Sequence, residues 1–153
     1  MAIKFENLDL QSKEEICKYI TGSLTGQLGL SPEMMRKMID RARMNIQVGK
    51  ADEAIMVYGT ALLLEPMNMD YLSGFANSAL NLNQPDIALH SANLMVALEP
   101  RNPAGYMLSG AACQMLGKGT EAAEDFAQAI ELAEQANKPD MAAVARKMMG
   151  SLQ

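Results

Sequence analysis

Small and apolar residues recur along the chain with a period of 34 residues, against a background of mixed polar positions. Three alanines mark this period, at Ala54, Ala88 and Ala122. Prolines follow the first two alanines by twelve residues, at Pro66 and Pro100. A repeat of this length predicts one pair of antiparallel helices per period, stacked side by side along the chain.

The residues between these alanines predict where the helices begin and end. Gly49 and Gly117 precede the first and third alanine by five residues, where a turn would separate the two helices of a pair. The first predicted helix ends at about Gln47, and the second runs from about Asp52 to Glu65. The third follows Asn68 and ends near Asn83, the fourth begins at Pro85, and the fifth begins at Asn102. The sixth runs from Glu121 to Gln135 and on toward Lys138, and the last runs from Pro139 to about Leu152. The predicted fold class is therefore all-α, a tetratricopeptide-repeat solenoid of three helix–turn–helix repeats with an N-terminal helix and a C-terminal capping helix.

The first thirty residues precede the repeats and are treated as a separate segment. Ser12 and Glu15 form a capping box that predicts a short helix to about Thr21. Its apolar stripe consists of Ile16, Ile20 and Leu24. We divide the chain into residues 1–30, an N-terminal helix and connector available for dimerisation, and residues 31–153, the three-repeat domain with its capping helix.

Two aromatic side chains are predicted to wedge between neighbouring helices. Tyr58 and Phe126 follow the first and third alanine by four residues. The second repeat departs from this pattern, because Ala92 stands where the aromatic residue is expected and Met95 stands where a further alanine is expected. That repeat either packs more loosely or uses the methionine to fill the vacated volume.

The composition limits the classes of partner. The 153-residue chain has a formal net charge of −5 and a pI of about 4.9. No run of Lys or Arg exceeds two residues, which argues against nucleic acid and anionic membranes. The apolar runs are too short to span a bilayer, and the polar N-terminus lacks the apolar stretch of a signal peptide. We therefore expect a cytoplasmic protein without direct membrane insertion.

The sequence offers no arrangement of residues suited to catalysis. Cys17 and Cys113 lack a metal-ligand spacing, and His90 has no partner at a motif spacing for a zinc site or a nucleophile. We expect no enzyme, no metal and no cofactor.

A solenoid of this type presents the first helix of each pair on a concave face that binds other polypeptides. Repeat geometry places ten groove residues on that face: Ile39, Arg43, Ile46, Ser73, Asn77, Leu80, Ala104, Met107, Ala111 and Gln114. Gly74, Ala104 and Ala111 are expected to leave pockets, and Asn77 and Asn81 to bond to an extended backbone. The carboxylate clamp that grips acidic chaperone tails is disfavoured, since of its positions only Asn77 conforms.

Nearly the whole chain resembles the class II chaperones of bacterial type III secretion systems. The resemblance rests on the short acidic N-terminal helix, the connector at 22–35, the segment at 49–54 and the third repeat with Gly110, Gly117 and Phe126. It implies a virulence-associated cytoplasmic chaperone that binds hydrophobic translocator proteins through a linear segment and dimerises through N-terminal elements. Where many members carry Tyr and Phe in the first repeat, this chain has Arg43 and Ile46.

Two alternatives remain open from the sequence. The repeats of a scaffold or adaptor subunit would bridge folded proteins through the convex face or the ends of the solenoid. A needle-subunit chaperone of the same secretion apparatus would cradle a short helical client instead of an extended one.

Overall fold

The structure is a computed structural model that describes residues 29–152. Its seven described helices form three consecutive antiparallel pairs followed by a final helix. The helices are α1 (Pro32–Gln47), α2 (Ala51–Leu64), α3 (Met69–Asn81), α4 (Pro85–Leu98), α5 (Pro103–Met115), α6 (Gly119–Gln135) and α7 (Pro139–Met149). This architecture confirms the all-α solenoid of three helix pairs with a capping helix.

Polar side chains cap the first helix of each pair. The Ser31 hydroxyl accepts a hydrogen bond from the Met34 backbone N–H (3.1 Å) at the start of α1, where Pro32 occupies the first turn. Asn68 and Asn102 cap α3 and α5, and each amide donates to a glutamate three residues earlier. The linker between α2 and α3 and the linker between α4 and α5 therefore have the same structure, 34 residues apart, as the period predicts.

Left-handed residues close the turns inside the pairs. Gly49 (φ 81°), Asn83 (φ 57°) and Gly117 (φ 73°) lie at the same position of successive repeats. Asn83 shows that asparagine substitutes for glycine there, since its short polar side chain tolerates this conformation. Asn137 (φ 56°) plays the same role after α6.

These left-handed residues correct two predicted boundaries. Helix α3 ends at Asn81 rather than near Asn83, and α6 ends at Gln135 instead of running on toward Lys138. In both cases the asparagine with positive φ stops the helix. Helix α7 ends at Met149 instead of at about Leu152. The predicted N-terminal helix and its stripe lie outside the described residues, so the division at residue 30 stays a prediction.

The helices form two layers with different spacing. Helix α3 packs against both α1 and α5, and α5 also packs against α7. Within residues 29–152, the backbones of α2, α4 and α6 do not come close to one another and come close only to helices of the first layer. Because only the first layer is closed side to side, it forms the concave face, whereas the second layer is splayed open on the convex face.

The joints between repeats alternate in side-chain size. In the first joint Tyr58, which is 2% exposed, lies against Gly74. The equivalent positions 34 residues later hold Ala92 and Leu108, which belong to one buried cluster. Leu108 thus restores the volume that Ala92 vacates, and Met95 packs beside it with 1% exposure. The second repeat is therefore not loosely packed.

Within residues 29–152, no helix is both long enough and apolar enough to cross a lipid bilayer.

Candidate functional site

A pocket of about 290 Å³ opens on the concave face between α1 and α3. Helices α1 and α3 belong to the first layer, and α2 of the second layer lies behind them and contributes Tyr58 to the pocket. Its lining residues are Arg43, Ile46, Gln47, Tyr58, Asp70, Ser73, Gly74 and Asn77. Four predicted groove residues, Arg43, Ile46, Ser73 and Asn77, are therefore brought together in one place.

The ring of Tyr58 forms the floor of this pocket. A Cβ atom on Gly74 would fall within the van der Waals radius of the ring, so glycine is needed for this close approach. Gly74 therefore lines the pocket, as expected, and the Tyr58 ring lies beside it as the floor. The sequence predicted that Tyr58 wedges between helices but not that it lines a pocket. The spacing of sixteen residues between Tyr58 and Gly74 could have indicated their contact, because it pairs an aromatic ring with a residue that has no side chain.

One cation and two anions border the pocket. The Arg43 guanidinium lies 3.3 Å from the Asp40 carboxylate and 3.6 Å from the Asp70 carboxylate, so it bridges α1 and α3. Burial raises the pKa of Tyr58, and the nearby Arg43 guanidinium partly offsets this. With both carboxylates close to one arginine, the rim does not present a free positive charge to a ligand.

Asn77 and Asn81 each use part of their side-chain amide within α3. The Asn77 Nδ2 donates to the Ser73 carbonyl (3.0 Å), and the Asn81 Nδ2 donates to the Asn77 carbonyl (2.8 Å). Each amide retains a second N–H and an acceptor oxygen. Asn77 lines the pocket and is half-buried, so its remaining groups face the space a bound chain would occupy.

The third-repeat end of the concave face is already engaged in contacts within the chain. The Gln114 side chain donates to the Ser151 backbone oxygen (3.4 Å) and hydroxyl (3.2 Å). Ala104 and Leu80 pack against the central core, and Ala111 packs against the cluster that contains Phe126. Met107 is half-buried and Met115 is exposed.

Ile39 is the one predicted groove residue that the structure places inside the protein. Its side chain is 4% exposed and packs in the core cluster with Met35, Ala42 and Tyr58. The prediction that it lines the groove is wrong, because its position in α1 faces α2 and not the concave surface.

The described residues contain no group of three or more His, Cys, Asp or Glu side chains placed to hold a metal ion.

A polar cluster lies between α5 and α6, where Ser109, Cys113 and Asp125 meet. Burial raises the pKa of the Cys113 thiol and also that of the Asp125 carboxyl, although a hydrogen bond from Ser109 lowers both in part.

We expect the variant Asp125→Asn to be more stable than the wild type at neutral pH. The raised pKa of Asp125 means that the folded state holds the proton more tightly than the unfolded state, so ionisation at neutral pH costs stability. As the pH falls through the raised pKa, the wild type recovers this stability and the advantage of the variant shrinks. The effect should stay below about 1 kcal/mol because solvent screens a half-buried group.

Urea denaturation at about pH 7 and about pH 4 measures this difference. Glu131→Gln removes a charge from an exposed position of the same helix and serves as the control. An advantage of Asp125→Asn that stays constant with pH would contradict the prediction.

By sequence, the chain resembles parts of longer proteins. No protein-family model matches the chain. Cellulose synthase operon protein C from Pseudomonas fluorescens is 30% identical over 109 residues, which are 67% of this chain and 8% of that protein. Hsc70-interacting protein 1 from Drosophila melanogaster is 32% identical over 83 residues, 54% of this chain and 22% of that protein. The chain thus spans less than a quarter of these relatives.

Solved structures give matches over most of the chain. PcrH bound to the chaperone binding region of PopD aligns with a TM-score of 0.73 and 22% identity, covering 81% of this chain and 94% of that one. The type III secretion translocator chaperone SycD from Yersinia enterocolitica aligns with a TM-score of 0.69 and 21% identity, covering 80% and 85%.

A third solved structure belongs to another group of proteins. The first tetratricopeptide domain of RPAP3 (Spaghetti), bound to the HSP90 peptide SRMEEVD, aligns with a TM-score of 0.64 and 27% identity, covering 77% and 94%. The chain therefore has a tetratricopeptide-repeat fold. Among its structural neighbours are PcrH and the translocator chaperone SycD.

Proposed function

We propose that this protein is a type III secretion chaperone that binds hydrophobic translocator proteins in the bacterial cytosol and shields them before export. It acts by binding, without catalysis and without a cofactor. The observation that carries the proposal is the concave pocket over Tyr58, in a fold shared with PcrH bound to a PopD segment. A homodimer formed through the N-terminal helix is part of the same proposal.

The chemistry of the pocket favours an extended segment with an apolar anchor. Ile46 and the Tyr58 ring supply apolar surface, and Ser73 and Asn77 supply polar groups along one wall. Such a combination suits a chain that inserts a side chain and bonds through its backbone. Further groove contacts are proposed at Leu80, Ala104, Met107, Ala111 and Gln114, toward the third repeat.

An acidic peptide such as the one bound by RPAP3 fits this pocket poorly. Among residues 29–152, Arg43 is the only cation that lines it, and Asp40 and Asp70 already pair with that arginine. A carboxylate-rich tail would meet two like charges near the single cation. This charge arrangement supports a translocator segment over an acidic tail.

The variant Asn77→Trp tests the proposal. Co-expression of the chain with neighbouring open reading frames, followed by mass spectrometry of the copurified proteins, identifies the cargo. The tryptophan should fill the pocket and weaken cargo binding by roughly tenfold or more, as loss of a central anchor contact does. Asn77 suits this test better than Ala111, since Ala111 packs against the Phe126 cluster.

Asn93→Trp is the matched control, because Asn93 is exposed on α4 in the convex layer. Circular dichroism should show equal helix content in both variants. Equal cargo binding by Asn77→Trp and wild type would contradict the groove assignment and favour an adaptor that binds through another face. Copurified proteins without apolar membrane-inserting segments would contradict the chaperone function itself.

A further inference from the structure

A second depression, of about 430 Å³, opens on the convex face, opposite the concave pocket. It lies between α2 and α4, whose backbones are not in close contact, and the Phe75 side chain of α3 lies between these helices. We call it the convex groove; its lining includes Leu62, Phe75, Asp86, Ile87, His90 and Leu94. The proposed function makes no use of this surface.

Helix α4 presents an apolar stripe to solvent along the convex groove. Ile87 and Leu94 are each 42% exposed, although both are large apolar residues. They lie seven residues apart, with His90 and the buried Ser91 between them on the same side of the helix. Side chains spaced this way form one face of a helix, so the stripe is suited to pack against a further helix.

The described lining of the convex groove carries one acidic side chain, Asp86, and no Lys or Arg. Helix α4, which supplies most of this lining, contains no Lys or Arg either. Asp86 takes part in none of the ion pairs found in residues 29–152. The rim of the groove is thus acidic, which disfavours anionic lipid headgroups and favours a cationic polypeptide.

We propose that the convex groove binds a cationic amphipathic helix of a partner protein. Apolar side chains of that helix, spaced three, four and seven residues apart, pack on Ile87, Leu94 and Phe75. Its Lys or Arg residues flank this stripe, and one of them pairs with Asp86. The bound helix fills the gap between α2 and α4 in the splayed layer, as ridges-into-grooves packing requires.

The convex groove and the concave pocket lie on opposite faces of α3. Phe75 points to the first, and Ser73, Gly74 and Asn77 line the second. A partner bound in the convex groove therefore leaves the concave pocket open, and the chain can hold two different partners at once.

A display library of helical peptides tests this proposal while the partner protein is still unidentified. The library varies apolar and charged positions on a fixed helical scaffold and is selected on the intact protein. Clones that depend on the convex groove are those lost on the variant Leu94→Lys, which places a cation in the groove. The binding of each such clone, as a synthetic labelled peptide, is then measured by fluorescence polarisation at increasing salt.

The proposal expects these clones to carry Lys or Arg beside an apolar stripe and to weaken as salt rises. Ile87→Lys, a second groove substitution that takes no part in choosing the clones, should reduce their affinity by roughly tenfold or more, as for a central interface residue. Leu63→Lys is the matched control, an 80% exposed leucine on α2 that does not line the groove, and it should have little effect. Asn77→Trp should also leave binding unchanged, so this result is independent of the concave pocket. Acidic or uncharged clones, or the absence of any clone sensitive to Leu94→Lys, would overturn the proposal.

Discussion

Truncation of Phe126 to alanine is expected to lower the free energy of unfolding by about 3–5 kcal/mol, the usual cost of removing a buried aromatic ring. Phe126 is fully buried and packs with Cys113 and Ala122 at the centre of the third helix pair. A Cβ atom on Gly110 would lie 2.8 Å from its ring, so the two helices are already as close as the ring allows. The ring therefore fills the space between α5 and α6, and its removal leaves a cavity there.

Urea denaturation followed by circular dichroism measures this loss. Phe75→Ala is the matched control, because Phe75 is the same residue type but only half-buried beside the convex groove. Its truncation should cost clearly less, since it leaves an opening to solvent rather than a closed cavity. Equal losses for the two variants would mean that the third pair is not packed as the structure shows.

The second large effect is expected when Gly74 and Gly59 are each replaced by alanine. Both glycines lie inside helices, so both replacements gain a similar helix propensity of about 1 kcal/mol. At Gly59 the new Cβ meets the Phe75 ring at 3.4 Å, an acceptable contact, and the variant should be more stable than the wild type. At Gly74 the new Cβ overlaps the Tyr58 ring, and Gly74→Ala should be less stable than Gly59→Ala by about 1–3 kcal/mol, the usual cost of overpacking.

A double-mutant cycle tests the physical reason for this difference. The pair Tyr58→Ala and Gly74→Leu gives the first joint the residue types found at Ala92 and Leu108. We expect the double variant to be more stable than the sum of the single effects predicts, with a coupling energy of about 0.5–3 kcal/mol. Additive effects, or equal stability of the two alanine variants, would contradict the packing of Tyr58 on Gly74.

The period and the turn chemistry of the sequence were sufficient to predict the architecture. Ser31, Asn68 and Asn102 are capping residues with a local physical reason, and the structure shows each of them in that role. Local signals of this kind need no knowledge of the neighbouring repeat. The ends of α3 and α6 were predicted too far along the chain, because Asn83 and Asn137 were not considered as left-handed terminators.

The candidate site could be predicted only in part, because its depth depends on contacts between repeats. Repeat geometry correctly grouped Arg43, Ser73 and Asn77 on one face. It could not show that Ile39 is buried or that Tyr58 occupies the space beside Gly74, since both follow from the sizes of side chains in contact. The convex groove carries no motif, and the gap between α2 and α4 appears only when the helices are placed in space.

The alternating sizes at the joints mean that the repeats of this chain are not interchangeable. Deleting residues 69–102 would preserve the 34-residue period and every helix boundary, yet it would set Tyr58 against Leu108. Two large side chains would then compete for space that holds only one in each native joint. Evolution by loss or duplication of a single repeat is thereby restricted, because each such event needs a compensating substitution at the new joint. Complementary side-chain volumes at the joints therefore constrain the number of repeats.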